Sequence, residues 1–390
     1  RVRAIAGDLA DAESMVALKD LLNAAGSENL AVDTLHNTRA PAFGVDVRTN
    51  YTFSATIAGV EDADVVLLIG TNPRHEAPVL NARLRKPYMA ATAEFGVIGE
   101  AADLTYEYEH IGSTAAAIEE LTQGKHAFAK ALRAAKRPLV IVGGAVSELG
   151  NGAAVAAAVG RLAESVPGLV TDEWNGLSVL QYAAGRTAAY DIGFVPNGQS
   201  SSEAAQFVYL LGADEVNPAE IPKDAFVVYQ GHHGDAGAHL ADVVLPGAAY
   251  TEKSVTFVNT EGRAQLTRQA VGVPGAARED WKIVRAVSEL AGLALPYDDV
   301  AGLRARMADV CPTLVHYGSA EPTSAAVARA GLAQLRTQGG RQLDSGFVRA
   351  VDNYYMTDAI SRASRTMARS STAFAKVQPG AEPSAKEAAA

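Results

Sequence analysis

His232, His233 and His239 share eight consecutive positions with Asp235, immediately after an apolar run that ends at Gly231. Imidazoles and a carboxylate at that density are the donor set of a zinc site. Neighbouring side chains on extended backbone point to opposite faces, so His232 and His233 are not expected to share a metal. A loop that hydrogen-bonds its own imidazoles is the expectation. Gly70-Thr71-Asn72-Pro73-Arg74-His75 offers a second chemistry, because a strand there hands over to a helix whose free N–H groups and dipole can hold a phosphate or carboxylate. It carries neither the lysine of a phosphate loop nor the three-glycine spacing of a dinucleotide fingerprint. Asn72 capping a helix therefore stands beside an anion site built from Gly70, Asn72 and Arg74. Glu252 and Arg263 lie in two further distinctive strings, 242–253 and 259–265. For Arg263 an ion pair with Glu252 or Glu261 is expected ahead of a ligand contact.

These residues need a framework, and the apolar pattern supplies one. Five runs lead straight into a glycine and a polar turn, at Gly7-Asp8, Gly70-Thr71, Gly143-Gly144, Gly212-Ala213-Asp214 and Gly231-His232. Unbroken Val/Ile/Leu strands are those of a parallel sheet buried on both faces, and ligands of open α/β sheets sit beyond the carboxyl ends of such strands. Helical spacing follows several of them: Asp11 opens a helix with Met15, Leu18 and Leu22, Asn151 opens another, and 278–291 places Trp281, Val284, Val287 and Ala291 on one stripe beside Ile283 and Leu290. The fold expected is α/β, two doubly wound parallel-sheet lobes over 1–190 and 191–300, with a mostly helical extension over 301–369 and a flexible tail over 370–390.

With 390 residues, 48% hydrophobic and 20% charged, the chain can fill two or three cores. A net charge of −10 without a basic run argues against nucleic acid or anionic lipid as partner. No apolar run approaches the ~20 residues of a membrane span. The single cysteine, Cys311, excludes an internal disulfide and an iron–sulphur cluster held within this chain. The opening at Arg1, without methionine or signal-peptide pattern, favours a fragment.

The strings Asp242 to Lys253 and Asn259-Thr260-Glu261-Gly262-Arg263-Ala264-Gln265, together with Gly70-Thr71-Asn72-Pro73, resemble the signature of the molybdopterin oxidoreductases. Within that family the chain is most similar to the branch of large iron–sulphur subunits of respiratory complex I. That likeness rests on residues 57–64, 229–237, 248–253, 277–282 and 355–364, the last in a mitochondrial style. The resemblance implies two lobes, the first inserted into the second. It also implies an assembly that moves electrons from NADH to ubiquinone in the hydrophilic arm, on the matrix side of the mitochondrial inner membrane, with other hydrophilic-arm subunits as partners. The 2Fe-2S and 4Fe-4S clusters of that branch are held by cysteines in an amino-terminal region that nothing here matches, so no cofactor is expected in this chain. The early metal ligand of active molybdenum enzymes is also absent. The expectation is a cofactor-free structural part, no catalyst alone, with a vestigial pocket at Gly70, Asn72, Arg74, His232, His233, Asp235, Glu252 and Arg263. Its alternative is a molybdopterin-dependent fragment that keeps a dinucleotide.

Overall fold

A computed structural model describes residues 1–34, 40–196, 204–340 and 342–377. Ten of its strands form two five-stranded, wholly parallel sheets. In chain order they are β1 (Val2–Ala6), β2 (Leu30–Val32), β3 (Val65–Ile69), β4 (Glu94–Ile98), β5 (Glu109–Gly112), β6 (Pro138–Gly143), β7 (Leu177–Leu180), β8 (Phe207–Leu211), β9 (Phe226–Gly231) and β10 (Val243–Pro246). Two short strands, β11 (Thr256–Val258) and β12 (Ala264–Leu266), pair antiparallel outside the sheets.

One sheet runs β10-β9-β8-β1-β2 and the other β5-β4-β3-β6-β7. In each the strand order reverses once, between β1 and β8 and between β3 and β6. Those reversals are the two switch points at which an open α/β sheet leaves a crevice. Residues 1–190 thus contribute to both sheets: β1 and β2 join β8 to β10, and β3 to β7 lie between them in sequence. The expected boundary near 190 falls between β7 and β8, where the chain returns to the β1 sheet.

Why these segments take these forms is local. β3 and β6 are buried along their whole length, as unbroken apolar strands in a covered sheet must be. The helix Ala12–Ala24 starts where the Asp11 carboxylate accepts the Ser14 N–H at 2.8 Å. It packs Met15, Leu18 and Leu22 against one face of the β1 sheet, together with Trp281 and Val284 of the helix Asp280–Leu290. Leu290 leaves that stripe and is 91% exposed. Ala-rich turns of Gly152–Glu164 cover one face of the β3 sheet, and Leu80 and Leu84 of the helix Pro78–Met89 cover the other. The helix after Gly70 breaks at Ala77, whose φ and ψ of −151° and 71° lie outside the helical region that the following Pro78 disfavours. A helix over Arg365–Val377 takes in the first residues of the stretch expected to be flexible, and 378–390 lie outside the described residues.

Candidate functional site: two filled strand crests

The glycine turns place the expected residues at the carboxyl ends of the two sheets, and the chain's own side chains meet them there. At the β3 crest, Gly70 takes a φ of +58° and donates its N–H to Ile98 O at 2.8 Å. The Asn72 carboxamide caps the next turn by accepting from Arg74 N at 3.2 Å. The Asn72 N–H itself is taken by Glu76 Oε1 at 2.7 Å, and Glu76 Oε2 accepts the Thr71 hydroxyl at 2.8 Å. A carboxylate of the protein therefore occupies the donors that an incoming phosphate would use. Arg74 turns away to Asp103, bonding its main-chain oxygen at 2.9 Å as well as its carboxylate.

Phe347 closes the same crest from above. A Cβ placed on Gly70 would meet Phe347 Cδ1 and Val146 Cγ2, both at 2.5 Å, so these side chains lie against bare backbone. Phe347 belongs to a strap, residues 342–364, that is tied down as it crosses. Leu343 O accepts from Ala116 N at 3.0 Å, Gly346 bridges Thr114, and Arg349 pairs with Glu100 just past β4.

The strap continues to the β1 crest. There a cavity of about 20 Å³, room for one water and far too small for a dinucleotide, lies between the strand ends and Thr357, Asp358 and Arg362. Its floor is acidic, with Asp8 after β1, Asp33 after β2, and Asp214 and Glu215 after β8. Arg362 spans Glu215, at 2.6 Å, and Asp235. Burial pushes the Asp8 carboxyl up to about 6 against the opposing pull of Arg186, and pushes Asp33 and Asp214 up as well.

Arg186 joins the two crests. Only 2% exposed, it donates to Glu148 beyond β6 at 2.9 Å, to Asp8 beyond β1 at 3.0 Å, and to the main-chain oxygen of Asp33. Nearby, Arg48 forks onto Asp191 at 2.8 and 2.9 Å and reaches Gly262 O at 3.0 Å. Lys253 is sealed between Asp11, at 2.7 Å, and Asp280. Burial alone would lower the Lys253 pKa, and the two carboxylates override it and raise it.

Of the eight expected pocket residues only His232 lines the β1 cavity. Its ring meets His233 with the two Nδ1 atoms 2.8 Å apart, which corrects the expectation that the two side chains diverge. The backbone bends after Gly231, reaching a φ of +58° at Gly234, and is not extended. Burial, helped by His233 and Lys253, lowers the His232 pKa to about 4. No three metal-ligating side chains converge among the described residues. Asp235 serves Arg362; Glu252 caps its own turn by accepting Ala249 N at 2.9 Å; and Arg263 pairs with Glu261 at 2.8 Å. Gly70, Asn72 and Arg74 stay at the other crest. Sequence reasoning missed Asp33, Glu148, Arg186 and Phe347, none of which sits in a distinctive string. It marked Gly7-Asp8 and Gly212-Ala213-Asp214 as turns without weighing their carboxylates.

Fold and crests define an α/β protein of two doubly wound, five-stranded parallel sheets. The sequence model of the family described as molybdopterin oxidoreductase matches residues 1–290. A second model, which describes the C-terminal region of an NADH-ubiquinone oxidoreductase subunit, matches 319–370, a stretch that includes the strap. The chain belongs to the molybdopterin oxidoreductase family. Within it, the chain falls in the branch of complex I large iron–sulphur subunits, with mitochondrial homologues. It is 52% identical over 375 residues to the mitochondrial NADH-ubiquinone oxidoreductase 78 kDa subunit of Neurospora crassa, covering 95% of this chain and 50% of that protein. It is 45% identical over 373 residues to the mitochondrial NADH dehydrogenase [ubiquinone] iron-sulfur protein 1 of Solanum tuberosum, covering 95% of this chain and 49% of that one. The chain spans about half the length of these curated relatives. Among solved structures, a chain of the formyltransferase/hydrolase complex of Methylorubrum extorquens, with methylofuran, overlaps 75% of this chain and 93% of its own at 17% identity and a TM-score of 0.49.

The pterin dinucleotide implied by the family does not fit the residues present. Its phosphates would face Asp8, Asp33, Asp214 and Glu215 at one crest and meet Phe347 and the Glu76-capped turn at the other. No described helix is long and apolar enough to cross a membrane.

Proposed function

We propose that this chain is the cofactor-free framework of the large iron–sulphur subunit of mitochondrial complex I. In this reading it lies in the hydrophilic arm on the matrix side of the inner membrane and packs against other arm subunits. It supports transfer of electrons from NADH to ubiquinone through 2Fe-2S and 4Fe-4S clusters held by a part of the subunit outside this chain, and catalyses nothing alone. The observation that carries the reading is the strap: Phe347 at one switch point and Arg362 at the other fill the places where a dinucleotide would lie. Buried Arg186, bonded to Glu148 beyond one sheet and Asp8 beyond the other, ties the two lobes together at the cost of desolvating charge. That is the property a scaffold needs.

The test is chemical. The assembled complex containing this chain is denatured, and the extract assayed for molybdenum, tungsten, pterin fluorescence and guanine nucleotide. Background levels of all four are expected. One equivalent of pterin or metal per chain would overturn the proposal in favour of a molybdopterin-dependent oxidoreductase.

A further inference from the structure

The β1 crest holds one group whose bonding is incomplete. Asp33 is 1% exposed, and its Oδ2 accepts the Glu215 N–H at 2.6 Å. Its Oδ1 is buried without a hydrogen-bond partner among the described residues, and Asp33 lines the water-sized cavity under the strap. A buried carboxylate oxygen left without a partner is costly, so an isolated acceptor there needs either a donor or a proton.

Among the described residues no cation bonds the Asp33 carboxylate. Arg186 is committed to Glu148 and Asp8 and touches only the main-chain oxygen of Asp33. Arg362, from the strap, is committed to Glu215 and Asp235. The other polar groups at this crest add negative charge or none. Asp214 accepts from Tyr229 and Gly237, Asp358 caps the strap's helix, the Tyr182 hydroxyl donates to Glu148, and His232 stays neutral. An ionised Asp33 would thus be a buried charge beside Asp8 with no cation bonded to its carboxylate, whereas the neutral acid carries no charge to desolvate.

We infer that Asp33 is a proton-binding site, a neutral carboxylic acid buried under the strap, and that this proton holds the strap down. This deepens the reading of the strap as occupant of the crest and rests on it. The coupling is direct in space: Asp33 grips the backbone of Glu215, and Glu215 grips Arg362. The closed strap keeps water from the Asp33 carboxyl, so the ionised form favours the open strap and closure weakens as pH rises. The window runs from the ordinary carboxylate range up to the raised value of the closed state, and a single linked proton gives at most about tenfold per pH unit.

Infrared difference spectroscopy of the intact chain near neutral pH tests this, with hydrogen exchange of residues 357–364 as second readout. Expected is a deuterium-sensitive stretch of a neutral carboxylic acid that disappears in Asp33→Asn and persists in Asp8→Asn. Strap protection, corrected for intrinsic exchange, should fall with rising pH in the unsubstituted chain and fall less steeply in Asp33→Asn, where Asp8 and Asp214 remain to titrate; an equal slope in the two chains overturns the inference. If Asp33→Asn does not fold, Asp33→Ser serves the same comparison. An unchanged acid band in the variant, or strap protection in the unsubstituted chain that ignores pH, overturns the inference. Either failure leaves the strap over the crests and so is distinct from finding a pterin.

Discussion

Phe347 lies against Gly70 so closely that the glycine has no room for a methyl group: a Cβ there would meet the ring at 2.5 Å. A side chain from the same polypeptide thus sits directly on the glycine that ends β3.

Gly70→Ala is therefore expected to destabilise by about 1–3 kcal/mol, combining a positive φ of +58° with overpacking. Made in a Phe347→Ala background, the same change should cost measurably less, because the ring no longer competes for the space. Denaturant melts of the four proteins in this double-mutant cycle check it, and strict additivity would show that the two residues do not interact.

Arg186→Met should lower stability by about 3–5 kcal/mol, since it strands Glu148 and Asp8 as unpaired charges between the lobes. Arg186→Lys should recover only part of this, because an ammonium cannot fork across partners from two sheets. Full rescue by lysine would reduce the clamp to simple charge balance.

Lys253→Met leaves Asp11 and Asp280 facing each other with no cation in a sealed site. A loss of about 3–5 kcal/mol is expected at neutral pH. The loss should shrink on acidification as the Asp280 carboxyl, which burial pushes up, takes up a proton, a trend that paired thermal melts at neutral and acid pH would reveal.

His232 gives a pH signature of opposite sign to that of Asp8. Its pKa is depressed to about 4, so the unfolded chain binds more protons between pH 4 and the ordinary histidine value, and stability is lost as pH falls through that range. Asp8, pushed up to about 6, costs stability as pH rises from the ordinary carboxylate range. His232→Asn should gain stability relative to the unsubstituted chain as pH drops from 7 to 4, by roughly 2 kcal/mol on linkage grounds. A pH-independent difference would place the imidazole in water.

The sheets were legible because buried parallel strands are apolar without interruption: β3, β6, β8 and β9 all stand out before their glycines. Which strand joins which sheet was not. β1 pairs with β8 across some two hundred residues, and no local pattern records a register set by long-range packing. The strap was invisible for a related reason. Residues such as Leu343 and Phe347 act singly, outside any helix or strand, so no periodicity marks them. The histidine loop misled because its geometry was argued from an extended backbone, and the backbone there is bent. Asp8 and Asp214 stood in plain view after their glycines, but their meaning depends on Asp33 and Glu215 arriving at the same crest.

A high-resolution density map of the assembled complex at the two strand crests bears on all of this at once. Continuous side-chain density is expected for Phe347 over Gly70 and for Arg362 between Glu215 and Asp235, with only water-sized features beneath. Strap density displaced from the crests, with a pterin dinucleotide lying along the strand ends in its place, would contradict the framework reading.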